Sequence, residues 1–260
     1  MVFPQLSSGA VAQLPLRRET GYRTLVNQAL DGSEIRLSDL DFFERSWELP
    51  LESLSDSEWQ AIQALFAAVE GRLATFLFLE PGENLLAWSE KFTEAVWTTS
   101  GVTLTEGIPD PFGGTAATEL SGAGAVSQRL SIPATFRYAA SIWGKASQPG
   151  ATFVLSDGAG QQKSIEFAAD GTWRRYALST AWTVATETVV FTVNSPGAAA
   201  VDIYGAQLEA QPAASAYKKT LDRGGAHPAA RFSSDMLGDR ATGVGQHSSV
   251  IRISWTPSQT

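Results

Sequence analysis

The sequence predicts a mainly β protein with one helix, in which a small β-rich domain is interrupted by a jelly-roll or galectin-like β-sandwich. Three observations predict it. Residues 54–81, LSDSEWQAIQALFAAVEGRLATFLFLEP, read as one capped amphipathic helix running into one strand. About 135 residues of short strands separated by Gly, Pro, Asp and Ser follow. The last 40 or so residues then change character again, and a tail of that size with one or two strands cannot bury a core of its own. It is expected to complete the sheet begun before residue 82. The predicted domains are therefore 1–82 with 216–260, discontinuous, and 83–215, inserted.

Each element has its own warrant. Residues 20–30 are rich in β-branched and aromatic residues and read as a strand; Asp31-Gly32-Ser33 is a turn, and EIRLSDL a second strand. In FERSWELPL, Phe43, Arg45, Trp47, Leu49 and Leu51 share one face, and Pro50 marks a strand end or an edge. Ser55 with Glu58 forms a capping box for a helix over about 55–70. Trp59, Ile62, Leu65, Phe66 and Val69 recur at helical spacing, and Gly71 is the expected C-cap. ATFLFL reads as a buried strand. Pro81-Gly82 and residues 212–215 read as linkers flanking the insertion. Between them strands are expected at 84–88, 98–105, 116–120, 125–132, 136–145, 152–156, 163–167, 173–180, 187–194 and 201–209. In the final SVIRISW, Ile251, Ile253 and Trp255 fall on one face and Val250, Arg252 and Ser254 on the other.

Composition bounds the function. The 260 residues contain no cysteine, which excludes disulfides, thiolate metal sites and cysteine nucleophiles. No apolar run approaches the ~20 residues of a membrane span. The first arginines follow the apolar residues, the reverse of a signal peptide, so synthesis and folding in the cytoplasm are expected. The net charge of −8 argues against binding driven by nucleic-acid phosphates. Residues 1–82 carry 6 basic and 12 acidic side chains, and residues 217–260 carry 6 and 3. The imbalance is either complementarity within one domain or chance.

Catalytic signatures are weak. The two histidines, His227 and His247, lie in turn-rich or loop sequence, and no G-x-S-x-G elbow is present. Asp222 with His227 makes a triad only on paper. Asp202 and Glu209, as a carboxylate pair, stand at an odd separation within one strand, which predicts opposite faces. The glycines of SGAGAVS lack a P-loop lysine and read as a turn. The expectation is a protein that is not an enzyme.

Phe3-Pro4, SSGA (7–10), Pro15 with Arg17-Arg18, ERSWEL (44–49) and EGRLATFLFLEP, in that order, resemble the distal tail protein of long-tailed bacteriophages and gene transfer agents. NLLAWSEKFTEAVWTTSGVTLT (84–105) and IYGAQLEAQPAASAYKKT (203–220) look like the opening and closing of carbohydrate-binding-like sandwich modules of phage tails. The resemblance implies a structural virion component at the tail tip, assembled in the bacterial host cytoplasm. It implies a ring, usually a hexamer, that joins the tail tube to the hub and receptor-binding apparatus beside the tape-measure protein. DNA passes through its bore without specific binding. The sandwich would face outward and contact host glycan. The alternative is a tail-fibre or receptor-binding adhesin with a carbohydrate-binding module; a glycosidase or esterase comes third.

No cofactor is expected beyond a structural calcium of the kind related sandwiches carry, with Asn84, Asp202 and Glu209 as its oxygen donors here. For sugar, Trp88, Trp97, Trp143, Trp173, Trp182 and Tyr176 are the aromatics to weigh against core packing. Trp182, in loop-like sequence, is the foremost ligand-binding candidate, with Tyr176 and Arg174 beside it.

Overall fold

A computed structural model describes residues 1–257. The chain folds as two compact units. One comprises Met1–Ser7, Ala12–Phe78 and the chain from His227 onward; the other comprises Ser8–Val11 and Leu79–Ala226.

The first unit opens with a long antiparallel hairpin, β1 (Arg17–Gln28) and β2 (Glu34–Ser55). The two strands expected over EIRLSDL and FERSWELPL are one 22-residue strand. Its register against β1 shifts between Tyr22 and Thr24, so extra β2 residues are absorbed without ending the strand. Pro50 lies beyond the last β1 pair, Arg17 with Glu48, so that flank of β2 is an edge where a missing N–H breaks no ladder.

Helix α1 (Asp56–Ala68) begins at the predicted capping box. The Ser55 hydroxyl accepts from the Glu58 amide at 3.3 Å, and the Glu58 carboxylate accepts from the Ser55 amide at 2.9 Å. Trp59, Ile62 and Leu65 are buried on β2 and on the later strand β16 (Gln246–Trp255), each burial contributing about 1.5–3 kcal/mol. The helix ends two residues earlier than its sequence suggests. Val69 is the C-cap and Glu70, not Gly71, takes the first left-handed position, at φ 53°. The Gly71 amide donates to the Phe66 carbonyl and the Glu70 amide to that of Ala67, the paired bonds of a Schellman turn. Strand β3 (Phe76–Leu79) follows, and the Phe3 amide donates to the Leu77 carbonyl beside it.

The second unit is the β-sandwich. Its strands are β4 (Thr98–Ser100), β5 (Thr103–Ile108), β6 (Ala117–Ser121), β7 (Ala123–Leu130), β8 (Arg137–Ala146), β9 (Thr152–Ser156), β10 (Gln162–Glu166), β11 (Arg174–Ala181), β12 (Val189–Pro196) and β13 (Val201–Glu209). They form two five-stranded antiparallel sheets, β10-β9-β12-β7-β4 and β11-β8-β13-β6-β5. Inward-facing Phe153, Phe191, Val193, Tyr138, Ile142, Ile203 and Leu208 are wholly buried.

Two strand expectations are corrected. The strand expected at 98–105 is broken at Gly101, φ 69°, and its halves join different sheets. Residues 84–88 form no strand: beside a backbone bond from the Leu85 amide to the Leu208 carbonyl, the Asn84 side chain meets main-chain groups where further ladder bonds would run. Its Oδ1 accepts from the Leu86 and Leu208 amides and its Nδ2 donates to the Ala206 and Lys218 carbonyls. Residues 217–226 also belong to this unit.

The chain then returns as β14 (Ala226–Phe232), β15 (Arg240–Gly243) and β16. The first unit's sheet runs β1-β2-β16-β14-β3, with β15 on β16. Ile251, Ile253 and Trp255 are buried with Trp47, Leu49 and Leu51, on the faces that alternation assigned to them. His227, read from sequence as a turn residue, lies in β14, buried with ring centroids 4.9 Å from Trp47 and 4.6 Å from Trp255. The sheet body ends where Arg45 pairs with Trp255. Beyond that pair, among the described residues, this part of β2 has only β1 as a strand partner, and the hairpin projects.

Candidate functional site

The sandwich carries its polar and aromatic chemistry on the outer face of the sheet β11-β8-β13-β6-β5. Along β8, Tyr138, Ala140 and Ile142 point to the core, so Ser141, Trp143 and Lys145 point away from it. Trp143 meets Tyr204 at 5.9 Å, Tyr217 at 5.4 Å and Phe112 at 5.4 Å, with the Arg175 guanidinium 4.8 Å over its ring. The Tyr204 and Tyr217 hydroxyls both donate to Glu90 Oε1, at 2.9 and 3.1 Å, and Lys219 Nζ reaches its Oε2 at 2.5 Å. Burial first, then the neighbouring Glu90, pushes both tyrosine pKa values up, so both stay protonated donors.

Beside this cluster opens a cavity of about 200 Å³. Trp88, Glu90, Lys91, Glu106, Thr118 and Lys219 stand around it. Trp88 is left-handed, at φ 50°, a conformation that a bulky residue keeps only when its surroundings impose it. Three hydrogen bonds impose it. The Trp88 amide donates to the Leu221 carbonyl, and the Trp88 carbonyl accepts from the Lys91 amide and from Trp97 Nε1. The Lys91 ammonium lies 5.6 Å from the indole centroid. Glu90 is only 8% exposed. Thr118 is fully buried, and its hydroxyl has no hydrogen-bond partner.

The foremost ligand-binding candidates from sequence, Trp182, Tyr176 and Arg174, do not line this cavity. Trp182 is half-buried, just after β11. Arg174 is exposed and ion-paired with Asp170 at 2.5 Å. Tyr176 faces inward, its ring stacked on Phe167 at 4.6 Å and its hydroxyl accepting from the Ala168 amide, so it offers no surface to a ligand. The alternation of β11, with Arg175, Ala177 and Ser179 on the outer face and Tyr176, Leu178 and Thr180 on the inner one, accounts for this. Trp97 is core, packed on Phe92 and Phe191.

The three oxygen donors considered for calcium each have other partners. Asn84 is spent on backbone groups, Asp202 pairs with Lys145 at 2.9 Å, and buried Glu209 accepts from Gln207, Gln211 and Ser215. Among the described residues no group of three or more His, Cys, Asp or Glu side chains is placed to hold a metal ion. The opposite-face expectation for Asp202 and Glu209 is corrected. The register of β13 against β8 slips by one residue between Tyr204 and Gln207, at Gly205 (φ 64°), which brings both acids to the outer face. They oppose Lys145 and Ala139, six residues apart along β8, or about 20 Å.

Trp88 was one aromatic among six, and its sequence neighbours do not distinguish it. Its backbone is fixed by Lys91 and Trp97 nearby and by Leu221 far along the chain, and the cavity also needs residues 106–118 and 219–221.

No protein-family model matches the chain, and no curated protein matches it. Among solved structures, the chain is similar to the enzymatically active domain of bacteriophage CBA120 tailspike protein 4, at 17% identity and a TM-score of 0.41. That likeness covers 48% of this chain and 21% of the tailspike chain, so the chain spans about a fifth of that protein. It is also similar to the carbohydrate-binding module TmCBM61, solved in complex with β-1,4-galactotriose, at 20% identity over 48% of this chain and 97% of the module, TM-score 0.37. The CBM22-1 xylan-binding domain of Paenibacillus barcinonensis Xyn10C matches at 19% identity over 49% of this chain and 94% of that domain, TM-score 0.38.

Proposed function

We propose that the chain is a structural component of a phage tail tip, a ring-forming adaptor of about six copies joining the tail tube to the hub and the receptor-binding apparatus. The observation that carries this reading is the projecting hairpin. Leu25 pairs with Leu37 and Asn27 with Ile35, so three apolar side chains share one face, 49%, 49% and 60% exposed. A two-stranded ribbon is marginal alone, and an apolar edge is a template for another chain. A second copy of the chain is the occupant the reading assigns to it. The order of sequence motifs that resembles distal tail proteins supports the same role.

The tail tube, hub and tape-measure proteins are the proposed neighbours, with DNA passing through unbound. The sandwich would face outward and contact glycan. The role needs no chemistry, and both histidines serve structure: His227 in the aromatic core and His247 between Asp56 and Asp239. An adhesin built around the sandwich is the second reading, favoured by the cavity beside Trp88.

Light scattering with negative-stain imaging tests the ring, alone and with tail tube protein added. The wild type should form rings. L25K/L37E places opposite charges across the exposed pair, keeps the fold, and should stay monomeric. A wild type that remains monomeric even on tail tubes overturns the adaptor and leaves the adhesin.

A further inference from the structure

Resting on the reading of the sandwich as a glycan-contacting module, we infer that the cavity beside Trp88 binds one neutral pyranose ring, as the terminal unit of a surface glycan. Its size selects the ligand. About 200 Å³ is below the ~300–1,000 Å³ of sites for drug-sized molecules and admits a single six-membered ring. The indole of Trp88 supplies an apolar wall for the C–H face of a sugar. The polar groups are of both kinds, carboxylates of Glu90 and Glu106 with ammonium groups of Lys91 and Lys219, so vicinal hydroxyls find acceptors and donors alternately. Two negative and two positive groups leave no net charge to select an anion.

The locked left-handed backbone of Trp88 marks a preformed site, since strain of this kind persists where the indole must be held in one place.

The test titrates the full chain with methyl glycosides of glucose, galactose, mannose and N-acetylglucosamine, and with galacturonate as an anionic control, followed by tryptophan fluorescence and ligand-observed NMR. Wild type should bind at least one neutral glycoside at millimolar concentration. W88A should weaken binding about tenfold or more. E106A, at an exposed position lining the same cavity, should also weaken binding with little change in melting temperature, and it serves if W88A does not fold. W182A should bind as wild type does. Undiminished binding by W88A and E106A, or a loss confined to W182A, overturns this site and leaves the glycan reading standing. Binding of galacturonate alone overturns the neutral assignment. If no sugar binds, the site and the glycan part of the proposed function both fall, while ring assembly is judged by its own experiment.

Discussion

Glu70 sits where the helix α1 reverses, exposed and left-handed at φ 53°. A residue with a Cβ gives up about 1–2 kcal/mol in that conformation, which glycine does not. Glu70→Gly should therefore stabilise the protein by roughly 1 kcal/mol in urea denaturation, with no change in the slope. The same change at Gly71 would act the other way: a Cβ there meets Asp235 Oδ1 at 2.8 Å, and the left-handed φ of 65° adds strain. The glycine seen in the sequence thus marks the turn correctly, but it is the second left-handed residue and not the first. Trp88 is a parallel case. Its type was legible as a candidate, whereas its conformation depends in part on Leu221, far along the chain, which its neighbours in sequence do not announce.

At the scale of elements, the start of α1 is held by groups with opposite pH responses. Burial alone would raise the Glu58 pKa, but hydrogen bonds from Ser55 and Ser7 bring it down to about 2. Its contribution is complete above the ordinary value of 4.5 and is lost as pH falls through about 2. His247 has its pKa raised by hydrogen bonds to Asp239 and Asp56, at 2.5 and 2.8 Å. Its contribution is complete below 6.5 and is lost as pH rises through the higher folded value. The helix start should be firmest between about pH 4.5 and 6.5. In thermal melts, the gap between wild type and H247Q should be widest there and should narrow as pH rises.

Sequence reading at this scale succeeded where pattern is local: the capping box, the helical stripe, the alternation of Ile251, Ile253 and Trp255, and β13 at its observed bounds. It failed where a distant group or an irregularity in the ladder decides. The Asn84 side chain bonds residues 206–218 where a strand was expected, and a bulge at Gly205 reverses which face Glu209 occupies.

For the whole molecule, the informative geometry is where the sandwich leaves and rejoins. It departs after β3 and returns as β14, and these two strands are neighbours in one sheet. The Glu80 amide donates to the Gly225 carbonyl at 2.7 Å, so the two chain ends run side by side. Removing residues 81–224 and joining the ends with a short Gly-Asn turn should leave a folded, cooperative first unit. Its melting should be followed by circular dichroism, and an unfolded product would mean that the first unit does not stand alone. The cut falls outside the predicted 83–215 because residues 217–226 pack with the sandwich.

The central place of β16, between β2 and β14, also sets a schedule. During translation β2 leaves the ribosome roughly 190 residues ahead of β16, a wait of about 10–40 s at bacterial-range rates of ~5–20 residues per second. For that interval β2 has only β1 as a strand neighbour, while every strand of the sandwich emerges. A ribosome that stalls before residue 246 therefore holds a finished sandwich tethered to an open sheet, with the β2 flank that β16 will cover exposed to misassociation.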